Sequence, residues 1–67
     1  MLSPIEHIMQ YFDYNHLPEH MKVVSKKFAE LADYLSIVLP NNPETTVALR
    51  KLLESKDAAV RSVKDAK

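Results

Sequence analysis

Leu39-Pro40-Asn41-Asn42-Pro43-Glu44 sits between two long stretches of helical periodicity, and it leaves the chain few ways to fold. Pro40 disfavours helical backbone at Leu39, so the helix before it must stop there. Asn42 is a good helix N-cap, Pro43 suits a first helical position, and Glu44 complements the positive end of a helix dipole. One helix therefore ends and another begins within a few residues, which predicts an antiparallel helical hairpin.

Pro18 starts the helix before the turn. The apolar residues Leu17, Met21, Val24, Phe28, Leu31, Leu35 and Val38 then follow at alternating spacings of four and three. That spacing predicts an amphipathic helix over 18–38 with a coiled-coil-like seam. After the turn, Thr46, Leu49, Leu53, Lys56, Val60 and Val63 predict a second helix over 43–64, and Lys64 to Lys67 is expected to fray. Ala48, Leu52, Ala59 and Ala66 widen its apolar surface to a second face, suited to close packing against another protomer. Upstream, Ser3-Pro4-Ile5-Glu6 is a capping box with proline at the first helical position. It predicts a short helix over 4–11 with Ile5, Ile8 and Met9 on one side, followed by an irregular segment to Leu17. The fold expected for residues 1–67 is one all-α domain, a short N-terminal helix followed by a two-helix antiparallel hairpin.

A chain of 67 residues gains little from burial once conformational entropy is subtracted. It has no cysteine with which to staple the fold, so oligomerisation is the expected remedy. Nine Lys and Arg balance nine Asp and Glu, which lacks the basic footprint of a duplex nucleic-acid binder. The longest uncharged run, Leu35 to Pro43, is far short of a membrane span. The first residues carry no positive segment ahead of an apolar one, so a secretory signal is not expected. With no glycine, the chain cannot build the Gly-rich loops that cradle phosphates elsewhere, and any phosphate must be held by side chains or helix ends.

Few residues could carry chemistry. His16 and His20 are four apart, but His16 precedes the helix and no third ligand accompanies them, so neither metal nor cofactor is expected. The carboxylates are scattered along helical patterns and a hairpin has no cleft of its own, so no enzymatic activity is expected. Tyr11, Phe12 and Tyr14 beside a helix break read either as core closing the end of the hairpin, with Phe12 the best candidate, or as a platform for stacking bases. Lys22, Lys26 and Lys27 form a basic patch that is either a solvated face or a set of ammonium donors for phosphate. Arg50, Lys51 and Arg61 admit the same two readings. Lys56 lies within an apolar seam, where it either snorkels outward or points into a polar pocket shared between chains.

The ordering Phe12-x-Tyr14-x-x-x-Pro18, then Leu31-Ala32, Pro40, Glu44, Thr46, Ala48-Leu49, Lys51-Leu52 and Glu54, resembles a phage immune-evasion family. These are the anti-CBASS sponge proteins, whose helical hairpin is shared with anti-Thoeris sponge proteins, and the resemblance runs from about Phe12 to Arg61. It implies a small helical protomer that interlocks in pairs, three pairs building a compact hexamer. It implies a protein that binds cyclic dinucleotides between protomers, and in many members cyclic trinucleotides at separate pockets. Such a protein sequesters the messenger without degrading it, in the cytoplasm of the infected bacterial host.

Carried over by position, Tyr14 matches an aromatic that stacks on a base of the cyclic dinucleotide. Lys26 or Lys27 matches a phosphate-contacting lysine, and Thr46 matches a small hydroxyl residue at the start of the last helix. The chain departs from the pattern after Glu54. Ser55 to Val60 replace an aromatic and asparagine-rich segment, and Arg61 stands about one helical turn earlier than the family's arginine. Arg61 is the candidate for the trinucleotide pocket. Ser25 occupies a position where a basic residue is frequent. The alternative from the residues alone is a non-enzymatic helical adaptor that binds a host protein through the second apolar face.

Overall fold

Ser3 accepts a hydrogen bond at Oγ from the Glu6 amide at 3.1 Å, and Glu6 Oε1 accepts one from the Ser3 amide at 3.4 Å. The capping box is thus formed, and it starts α1, Pro4–Met9. In the computed structural model, which describes residues 2–65, every regular element is helical. α1 tightens into one 3₁₀ turn, Gln10–Phe12, so the helix expected over 4–11 changes type at Gln10. α2 spans Glu19–Val38 with Pro18 at its N-cap position, and α3 spans Pro43–Asp65. Lys64 and Asp65, expected above to fray, are helical, while Ala66 and Lys67, assigned above to a second face and a frayed end, lie outside the described residues. No helix of the described chain is long and apolar enough to cross a membrane.

The turn between α2 and α3 is built as its residues dictate. Asn42 Oδ1 accepts from the Thr45 amide at 2.9 Å, and Thr45 Oγ1 donates to the Pro40 carbonyl. Thr45 is buried, so its hydroxyl ties the start of α3 back to the first half of the turn. The seam along α3 holds as expected: Leu49 is fully buried, and Leu53, Val60 and Val63 are half-buried on the same side.

α2 differs. Its buried residues are Ser25, Ala29 and Ala32, each one position after an apolar residue of the expected stripe. One residue is about 100° around a helix, so the face turned to the core lies a quarter-turn from the stripe. Side-chain size explains the shift. Packed helix axes lie about 8–10 Å apart depending on the side chains at the contact, and a line of Ser and Ala leaves room for Leu49, which is fully buried. Met21, Phe28 and Leu35 are left half-buried on the flank, while Leu31 and Val38 are half-exposed at 45% and 50%. Ser25 Oγ is buried without a hydrogen-bond partner.

α1 and the 3₁₀ turn close over the hairpin. Ile8 and Phe12 join Ala29, Ala32 and Leu49 in the core, with Leu52 and Leu53 packed against it. Phe12 is therefore core, and part of the second face of α3 is used within the chain's own fold, where Ala48 and Ala59 are half-buried. The chain is elongated, 40 × 20 × 18 Å with a radius of gyration of 12.4 Å, against about 11 Å for a compact chain of this length. It exposes 4818 Å², against about 4,300 Å² expected at its mass.

If the close approach of α2 and α3 depends on small residues, Ala32→Leu should destabilise the fold by about 1–3 kcal/mol. Urea unfolding followed by circular dichroism measures it. An unchanged midpoint would show that the helices do not meet closely at Ala32.

Candidate functional site

The charged side chain held deepest among the described residues is Lys56. The preceding turns of α3 carry it inward on the same side as Leu49 and Leu53, which is how a lysine enters an apolar seam. Its Nζ donates to the Tyr11 carbonyl at 3.0 Å and lies 2.9 Å from Asp57 Oδ1, leaving the residue 9% exposed. The ammonium thus ties the 3₁₀ turn to α3 across the sequence. Lys56 points inward, but the polar groups it meets, the Tyr11 carbonyl and the Asp57 carboxylate, belong to its own chain and not to a pocket shared between chains.

Around Lys56 lies an open groove of about 390 Å³, with Gln10, Tyr11, Asp13, His16 and Leu17 on one wall and Asp57, Val60 and Arg61 on the other. Arg61 is exposed at its rim. The groove has a mixed character, lined by two cations, Lys56 and Arg61, and two carboxylates, Asp13 and Asp57. Asp13 is partly engaged locally, accepting at 3.1 Å from both the Asn15 amide and its side-chain nitrogen. Tyr11 is exposed and meets the His7 ring edge-on, with centroids 5.6 Å apart. His16 and His20 are both exposed, and the described residues hold no group of three His, Cys, Asp or Glu that could bind a metal.

Thr46 sits at the other end of α3, about 16 Å along the helix axis from Asp57. Its amide donates to the Asn42 carbonyl at 3.3 Å, and the residue lines two adjoining shallow grooves. One, about 400 Å³, runs along Pro4, Asn41, Asn42 and Pro43. The other, about 450 Å³, passes Leu2, His7, Ile8 and Arg50. The structure therefore brings Thr46 together with Arg50 and His7, and Arg61 together with Lys56 and His16.

Tyr14, Lys26 and Lys27 line none of these three grooves. Tyr14 is half-buried and packs against the core, so part of its ring serves the fold. Lys26 and Lys27 are exposed on α2, about 100° apart around the helix, so they face different sides. Lys27 lies 4.0 Å from Glu30, and Lys22 lies 3.9 Å from Glu19, surface pairs of small energetic weight. Sequence reasoning missed the pairing of the Gln10–Leu17 segment with the Lys56–Arg61 turn. Its one visible signal was a lysine in an apolar seam.

No family model matches this chain, and neither a curated protein nor a solved structure is similar enough to it to count as a match.

Lys56→Met keeps the bulk of the side chain and removes the donor. It leaves the Tyr11 carbonyl without its partner, and the cost should be about 1–3 kcal/mol. Chemical denaturation gives the magnitude. Amide exchange should accelerate first across Gln10 to Asp13; uniform acceleration over all helices would overturn the tethering role.

Proposed function

We propose that this chain is a non-enzymatic binding protein that sequesters cyclic oligonucleotide messengers in pockets built between copies of itself. By the resemblance stated above, the messengers are cyclic dinucleotides and, at a second site, cyclic trinucleotides. The setting is the cytoplasm of a phage-infected bacterium, where removing the messenger blocks CBASS effectors. The assembly is a hexamer of interlocked pairs.

The observation that carries this reading is the dispersal of the candidate residues over an incomplete protomer. Tyr14, Thr46 and the α2 lysines lie on separate parts of a chain whose described grooves are all open. A ligand with two bases and two phosphates needs walls on several sides. A second protomer would supply them, and a two-fold pairing would present two copies of Tyr14 to a roughly two-fold ligand. In each pocket the unburied part of Tyr14 stacks on a base, and Lys26 or Lys27 donates to phosphate. Thr46 adds a hydroxyl at the start of α3. Arg61, remote from Thr46, belongs to the trinucleotide site. Sequestration then needs only tight binding and protein in excess of messenger.

The alternative is the helical adaptor, in which exposed apolar residues receive a host protein and Tyr14 and the lysines are ordinary surface. The second face of α3, through which that adaptor was expected to bind, is half-buried at Ala48, Leu52 and Ala59, and exposed apolar residues are found instead on α2, at Leu31, Tyr34, Ile37 and Val38.

Calorimetry against a panel of cyclic di- and trinucleotides decides between them. Tyr14→Ala should weaken dinucleotide binding by about 1–3 kcal/mol per stacked base without changing the assembly mass. Neutralising the contacting lysine, Lys26→Ala or Lys27→Ala, should cost about 1.5–3 kcal/mol. Arg61→Ala should affect trinucleotides alone. Ligand released by heating should be chemically intact. No binding to any member of the panel would leave the adaptor reading in its place.

A further inference from the structure

Of the tyrosine and phenylalanine residues that precede α2, Phe12 is in the core and Tyr14 is half-buried against it. Tyr11 is left over, 53% exposed, and it lines the groove around Lys56. Its ring meets His7 edge-on, a contact that steadies the plane of the ring while half of the residue stays accessible. Across the groove stands Arg61. Among the described residues no carboxylate lies within 4.0 Å of it, although Asp57 and Asp65 are each one helical turn away. Asp57 sits instead 2.9 Å from the Lys56 ammonium, so a carboxylate that Arg61 could have paired with is already neutralised. The groove thus offers an accessible aromatic ring on one wall and an uncommitted guanidinium on the other.

We infer that this groove takes one nucleotide unit, its base stacked on Tyr11 and its phosphate held by Arg61. A flat aromatic ring recognises the face of any base, and the guanidinium fork matches two phosphate oxygens. Asp13 adds a third kind of contact. Its Oδ1 is engaged by Asn15, and its other oxygen accepts no hydrogen bond among the described residues. That oxygen suits a ribose hydroxyl or the amino group of a base, donors that a bare phosphate lacks. Size sets the count. The groove, about 390 Å³, is near the lower end of the roughly 300–1,000 Å³ of small-molecule sites, room for one nucleotide and not for a ring of three. A cyclic trinucleotide would therefore lay one unit in the groove of each copy it touches. The inference rests on the trinucleotide half of the proposed function and gives it a stacking residue, Tyr11, and a unit of recognition contained in one chain.

Adenosine monophosphate, which carries a base amino group for Asp13, is the probe. It is titrated into the full chain and followed by NMR at the Tyr11 ring and the Arg61 side chain. Both signals should move together and saturate, with adenosine and ribose phosphate each binding more weakly than the nucleotide. Tyr11→Leu should weaken binding at least about fivefold, the lower bound for one stacked base, and Tyr11→Phe should hold it within about twofold. Tyr11 is exposed and its carbonyl, which receives Lys56, is unchanged by either substitution, so the fold is kept. Arg61→Gln should weaken binding at least about tenfold, the lower bound for a hydrogen bond to a charged group. The inference is overturned if the nucleotide moves neither signal, if Tyr11→Leu binds as well as wild type, or if ribose phosphate binds as tightly as the nucleotide. A cyclic trinucleotide separates this result from the function it builds on. If it binds wild type and Tyr11→Leu equally well, sequestration stands and the stacking role falls. If the groove takes the mononucleotide in a protein that binds no cyclic trinucleotide, the site stands and that arm of the proposed function falls.

Discussion

α2 and α3 lie against each other because the residues between them on α2 are Ser25, Ala29 and Ala32. Two ordinary leucine-rich helices would have met through their large side chains and buried them. Here the small residues take the contact, Leu49 of α3 fills the space they leave, and every larger apolar residue of α2 is displaced to a flank or to the outside. The position of α1 follows from the same contact. Ile8 and Phe12 pack on the core that Ala29, Ala32 and Leu49 form, and Lys56 fastens the 3₁₀ turn where α1 ends.

The local features were legible because their chemistry is local. Ser3 and Glu6 meet across one helical turn, and Asn42 reaches an amide three residues on; nothing distant decides either contact. Helix existence and direction were equally readable from periodicity and proline. The rotation of α2 about its own axis was not. Periodicity finds the line of large apolar residues, whereas the packed face is chosen by how closely two backbones can approach, and that depends on the size of residues one position away. Lys56 shows a related limit. Its place in the α3 seam was visible, but the carbonyl it binds belongs to a residue 45 positions earlier.

For the candidate site, the sequence offered residue types and the fold determined which of them are neighbours. Thr46 and Arg61 are separated along α3, and Tyr14 is partly committed to the core. Under the proposed function, each copy would bring fragments of a binding surface for symmetry to join. A short chain without glycine loops or disulfides has few other ways to enclose a polar ligand.

The Lys56–Tyr11 bond also has a kinetic side. α2 and α3 close over a turn from Leu39 to Asn42, whereas joining Tyr11 to Lys56 directly closes a loop spanning 45 positions. The entropic difference between loops of those sizes is about 2 kcal/mol. Once the hairpin has formed, however, α1 needs only the short connection from Asp13 to Pro18 to reach its place, so most of that penalty disappears. Topology therefore orders assembly, with the hairpin first and the N-terminal segment last. Read in reverse, the N-terminal segment is the part that can lift away while the hairpin stays closed, a sub-global opening confined to one end of the molecule.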